Sequence, residues 1–112
     1  MPAIEPAILA QLFAMGGESL RVALCAQLRA DFTRLHDAVA AADPTEAARA
    51  THEVKGLAGT VGALRLADLA RRLDSMGSDL AVEARLVLVA GLRAEIESVL
   101  QALITAGDSS CA

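Results

Sequence analysis

His52 and Lys55 stand three residues apart in the run His52-Glu53-Val54-Lys55-Gly56-Leu57-Ala58-Gly59, whose residue types suit phosphoryl chemistry. A neutral imidazole is a competent nucleophile near pH 7, and a lysine ammonium is a compact charge that can steady an anionic group. Lys55 is the single lysine of the chain, the other nine basic residues being arginines. Read as a helix at ~100° per residue, positions 45 to 61 gather Ala47, Ala50, Val54, Leu57, Ala58 and Val61 into one core-facing stripe. On the same arithmetic His52 lies about 170° from the centre of that stripe and is expected to face solvent. Ala48 and Arg49 share this outer face one turn before it. Lys55 and Gly56 follow one turn after, and Gly59 a turn beyond. Each glycine inside a helix costs about 1 kcal/mol relative to alanine. On an exposed face the reason to accept that cost is that something else must approach His52 closely.

Competing chemistries fail on spacing. Gly56 stands where a zinc protease helix would need a second histidine after His52-Glu53, and the Glu-x-x-His pairs of a di-iron bundle are absent. No metal site is therefore expected. Cys25 and Cys111 lie far apart with no C-x-x-C spacing, so Cys25 reads as a small core residue and Cys111 as a tail thiol. His36, at the margin of its own helix's stripe, reads as a boundary residue. Arg71 and Arg72 read as a solvated face. There is no phosphate-binding glycine loop and no glycine-rich ATP-lid motif, so no ATP site and no kinase activity of its own are expected.

The elements that must position this face are all helical. Gly16-Gly17 separates a short apolar segment, Glu5 to Met15, from a longer one reaching about Ala42 with apolar residues at Leu24, Leu28, Phe32, Leu35 and Val39. Asp43-Pro44-Thr45-Glu46 is a helix start: Asp43 caps, Pro44 suits the first turn, and Glu46 can reach back as in a capping box. That helix runs to Val61 and stops at Gly62. A fourth follows from Leu64 with Leu66, Leu69, Leu73 and Met76. Ser78 or Asp79 is placed to cap the last, whose stripe is Val89, Leu92, Ile96, Val99 and Leu103. Short connections make successive helices antiparallel neighbours. The expectation is an all-α, antiparallel up-down four-helix bundle with a short additional N-terminal helix as a lid.

Composition agrees. The 112 residues fit one domain spanning 1–112, with 107–112 as a flexible tail. Hydrophobic residues make up 54% and aromatics 2%, a core of Ala, Leu and Val that favours helices over strands. A net charge of −4 argues against nucleic acid as a partner. Mean hydropathy is +0.45, yet uncharged runs fall short of the ~18 residues of a membrane span. No basic residue precedes an apolar stretch at the N-terminus, so a cytoplasmic location is expected.

The run from His52 through Lys55-Gly56, Ala58 and Gly59 to Gly62-Ala63 resembles the histidine-containing phosphotransfer (Hpt) domain signature. The resemblance is close from Asp43 to Asp74, and includes the acidic position at Asp74 after Leu66, Leu69 and Leu73. It implies a four-helix bundle whose exposed His52 carries a phosphoryl group between aspartates of receiver domains, in a hybrid sensor kinase and/or a response regulator. Lys55, helped by Arg49, would supply positive charge, and Asp74 would orient the imidazole. Gly56, Gly59, Arg49 and Ala48 would form the docking face. The receiver would supply Mg2+, so the chain needs no cofactor of its own, and it would act as a monomeric carrier without being an enzyme. Two positions depart from the usual pattern: Leu57 is bulky, and Asp74 is shorter than the common Gln or Glu. The alternative is a helical interaction module that binds a receiver or other regulator without phosphotransfer.

Overall fold

The helix ends follow the chain's local chemistry. In a computed structural model, which describes residues 2–76 and 79–108, five helices succeed one another: α1 Pro6–Phe13, α2 Glu18–Ala38, α3 Pro44–Val61, α4 Leu64–Met76 and α5 Val82–Asp108. Among the described residues there is no strand. Asp43 opens α3 by accepting the Thr45 N–H at 3.0 Å, with Pro44 in the first turn. The Glu46 half of a capping box is not among the bonds of the described residues. Gly62 closes α3 in the left-handed region, at φ 85°, where an L side chain is strained. That turn leads within two residues into α4. It also receives α1: the Glu5 N–H donates to the Gly62 carbonyl at 2.7 Å, and Ile4 and Leu9 are buried there.

The four longer helices close into a ring, α2 against α3 and α5, and α4 against α3 and α5. Phe32, Leu35, Val54, Val61, Leu66, Leu92, Ile96, Val99 and Leu103 are fully enclosed between them. Polar links join neighbouring helices, and two of them set α2 and α5 antiparallel. Arg21 near the start of α2 donates to the Ala106 carbonyl near the end of α5 at 2.8 Å, while His36 near the end of α2 meets Glu97 at 3.0 Å. Arg34 of α2 pairs with Glu53 of α3. Arg65 early in α4 lies 3.8 Å from Glu95, well along α5. One oxygen of Glu95, Oε1, is buried without a partner.

Several boundaries differ from expectation. α2 ends at Ala38, four residues before Ala42, and the turn through Val39–Ala41 frees the chain to start α3 at Pro44. Asp79 is not the cap of α5, which begins three residues later at Val82; Ser78 lies outside the described residues. Gly107 and Asp108 are helical, continuing α5 instead of belonging to a loose tail. The rest of the expected tail, with Cys111, lies outside the described residues. Met76 is 38% exposed and Leu69 only half-buried, so the α4 stripe narrows to Leu66, Ala70 and Leu73. Cys25 is buried, and that burial pushes its thiol pKa up. No described helix is long and apolar enough to cross a membrane.

Candidate functional site

α3 turns its stripe inward as expected at Ala50, Val54, Ala58 and Val61, while Ala47 and Leu57 are half-buried. Thr51 is buried too, a position outside the expected stripe. Its hydroxyl is satisfied by donating to the Ala47 carbonyl at 2.9 Å, which lets a polar residue sit against the core. The opposite face carries His52, whose side chain is 70% exposed. Ala48 and Arg49 are exposed beside it and, with Pro44 and Thr45, line an open concavity of about 500 Å3 that includes the imidazole.

α4 supplies the third member of the site. The α3–α4 hairpin turns about Ala63, and His52 and Asp74 are each eleven residues from it, so the two helices set them side by side. Asp74 Oδ2 lies 3.3 Å from His52 Nδ1 and accepts a hydrogen bond from Lys55 Nζ at 2.8 Å. One carboxylate oxygen thus serves both basic side chains. A carboxylate only accepts, so the imidazole facing it is assigned the tautomer with its proton on Nδ1. Nε2 makes no hydrogen bond among the described residues. The Lys55 ammonium, and after it the His52 ring, hold the Asp74 carboxyl below the usual carboxylate range, against a small opposing effect of burial.

Gly56 and Gly59 are exposed along the same face. A Cβ added at either would find no neighbouring atom within 4 Å. Nothing inside the chain therefore requires glycine at these positions. Gly62 is the opposite case, since a Cβ there would come within 2.7 Å of the Ile8 Cβ.

The sequence reading did not anticipate a second feature. An apolar groove of about 470 Å3, with Val39, Ala47, Leu73, Leu86 and Val89 in its walls, borders the site and shares Ala48 and Pro44 with the concavity, while Asp74 also lines it. Leu86 is 64% exposed although it sits next to this groove. The only signal in the sequence was the crowding of Val82, Leu86 and Val87 ahead of the core stripe of α5. Elsewhere, His36 has both ring nitrogens facing carboxylates, Asp37 at 3.2 Å and Glu97 at 3.0 Å, and its carbonyl accepts from Arg93 at 2.9 Å. It clips α2 to α5. Arg71 and Arg72 are exposed and both pair with Asp68. No group of three or more His, Cys, Asp or Glu among the described residues could hold a metal ion.

The arrangement can present one imidazole nitrogen to an incoming electrophile while the other is held, with positive charge from Lys55 and Arg49 alongside. Comparison with known proteins points the same way. The family model of the Hpt domain matches residues 19–104, from the first turn of α2 to near the end of α5. Searches of curated proteins and of solved structures return no significant match. The family match spans well over half of the 112 residues and takes in the whole His52–Asp74 hairpin, so the chain belongs to the Hpt domain family.

Proposed function

We propose that this chain is a phosphorelay carrier, accepting a phosphoryl group on His52 from a receiver-domain aspartate and passing it to another. Membership of the Hpt family implies a histidine phosphotransfer role in two-component signalling and interaction with receiver domains. The observation that carries the finer reading is the split between the two ring nitrogens: Nδ1 lies against Asp74, while Nε2, on a side chain that is 70% exposed, makes no hydrogen bond among the described residues. The Nε2 lone pair attacks phosphorus of the aspartyl phosphate. An N–P bond forms as the P–O bond breaks, and that bond's electron pair returns to the receiver aspartate as a carboxylate. The ring then bears positive charge, which Asp74 faces through Nδ1–H. The reverse sequence hands the group to a second receiver.

A loose phosphoryl-transfer transition state needs alignment and charge more than covalent machinery. Asp74 fixes the ring, Lys55 and Arg49 supply positive charge, and Ala48, Gly56 and Gly59 leave room for the receiver to dock. The carboxylate nearest the site is already engaged by Lys55, which supports leaving Mg2+ to the receiver and assigning the chain no cofactor. The partners are the receivers of a hybrid sensor kinase and/or response regulator. The carrier acts as a monomer in the cytoplasm and has no kinase activity of its own.

Incubation with phosphorylated receivers tests this. The wild type should gain an acid-labile label that His52→Gln, with unchanged helicity, does not. Label persisting in that variant would move the site to His36 or remove the phosphorelay reading. Stable receiver binding with no label in the wild type would favour the interaction module instead.

A further inference from the structure

Lys55 and the phosphoryl group it is meant to steady do not meet in the resting chain. Its ammonium is bound to Asp74 Oδ2, the same oxygen that lies against His52 Nδ1, whereas the reactive Nε2 is on the far edge of the ring. We propose that Lys55 has two positions, on Asp74 at rest and on the phosphoryl group once His52 carries one. Its departure converts Asp74 from a shared partner into the sole partner of the imidazole. The inference rests on His52 being the acceptor, and it assigns Asp74 as a positioning residue whose influence on the ring changes with phosphorylation.

Three observations support the hand-over. Lys55 and His52 are three residues apart on α3, where side chains are neighbours, and lysine has a flexible stem with three rotatable donors. The ammonium can therefore pass from one side of the ring to the other without backbone movement. Second, the resting pair is open to solvent in part, with 36% of the Lys55 side chain and 25% of the Asp74 side chain accessible, so water screens it and competes for it. A phosphoryl group carries nearly twice the charge of a carboxylate and three acceptor oxygens, so it outcompetes a carboxylate oxygen already shared with the ring. Third, the basic residues that flank Asp74 on α4 are engaged elsewhere. Arg71 and Arg72 of its own helix are paired with Asp68, and the end of α2 presents only Val39 to Ala42 to the adjoining groove. Arg85 of α5 lines that groove as the remaining charged neighbour.

The consequence is a matched pair of states. At rest the carboxylate is divided between two donors, the Lys55 ammonium and the His52 ring. After transfer the undivided carboxylate faces a ring that has become positive, and the lysine faces the negative phosphoryl group.

Because Lys55 is the single lysine, labelling lysine with 13C at Cε and 15N at Nζ yields one side-chain signal from the intact chain. Phosphoramidate serves as a receiver-free donor: its P–N bond breaks as the His52 N–P bond forms, and its nitrogen leaves as ammonia. Spectra are recorded for the wild type and Asp74→Asn, each with and without the donor. At rest, Asp74→Asn should shift the lysine signal. After phosphorylation the wild-type signal should have moved, and Asp74→Asn should produce no further shift. An equal response to Asp74→Asn in both states would overturn the hand-over, as would a resting signal indifferent to that substitution. Failure of the carrier reading is separately visible, since the wild type would then show no phosphohistidine signal in its 31P spectrum, and the proposal would fall with it.

Discussion

At the smallest scale the site depends on a carboxylate poised by its neighbours. The Asp74 carboxyl is held low first by Lys55 and then by His52. A carboxyl with a depressed folded pKa contributes stability that is present above its unfolded value of ~3.9 and is lost as pH falls through the folded value. In Lys55→Ala the larger of the two causes is gone. The Asp74 side-chain carbon, followed by NMR, should then titrate at higher pH than in the wild type. An unchanged midpoint would show that the pair does not form in solution. The same substitution should retain the fold and slow transfer from a phosphorylated receiver by about tenfold. That is below the ~10²-fold or more associated with enclosed oxyanion donors, because Lys55 is only half-buried and is screened by solvent. Wild-type kinetics would reduce Lys55 to a solvated surface residue.

At the scale of the element, helix α3 and its C-cap carry two kinds of glycine, and they should respond oppositely to the same substitution. Gly56 has open space around its missing side chain, so Gly56→Ala should raise stability by about 0.5–1 kcal/mol in a thermal melt. Gly56→Glu should keep or raise the melting temperature yet sharply lower transfer to His52. Its long side chain would stand one turn from the imidazole and its charge would repel the phosphoryl group. Gly56→Ala should be intermediate in transfer. Full-speed transfer in the Glu variant would sink the argument that this face is kept clear for a partner. At Gly62 the backbone is left-handed, and a Cβ would press on Ile8. Gly62→Ala should therefore cost at least about 1–2 kcal/mol, with looser packing of α1, and an unchanged melt would contradict that account.

For the molecule as a whole, stability and transfer should be separable, because the core and the site occupy opposite faces of α3. Phe32 is one of two phenylalanines in the chain and is fully buried. Phe32→Ala should cost about 3–5 kcal/mol by urea unfolding, a large part of the ~5–15 kcal/mol that stabilises a typical domain. Under conditions where the variant remains folded, His52 should still accept label at near the wild-type rate. Loss of transfer in folded Phe32→Ala would mean that the geometry of the site depends on core packing more than the exposed His52–Lys55–Asp74 contacts suggest.

Much of the site could be read from local order. Asp43-Pro44 and Gly62 bracket α3, and the repeat of Ala50, Val54, Ala58 and Val61 determines which face is buried, so the exposure of His52, Gly56 and Gly59 follows from helical period alone, while Lys55 is half-buried by its contact with α4. Within one helix, relative direction depends only on residue spacing. Contacts between helices depend also on where each helix ends and how it is rotated against its neighbour. That is why only the tertiary structure decided that Asp74 shares one oxygen between His52 and Lys55. The same holds for the early end of α2 at Ala38, the burial of Thr51, and the groove that Leu86 and Leu73 line from different helices. The sequence by itself determined the helices and the exposed histidine; the packing of α4 on α3 set the contact between that ring and Asp74.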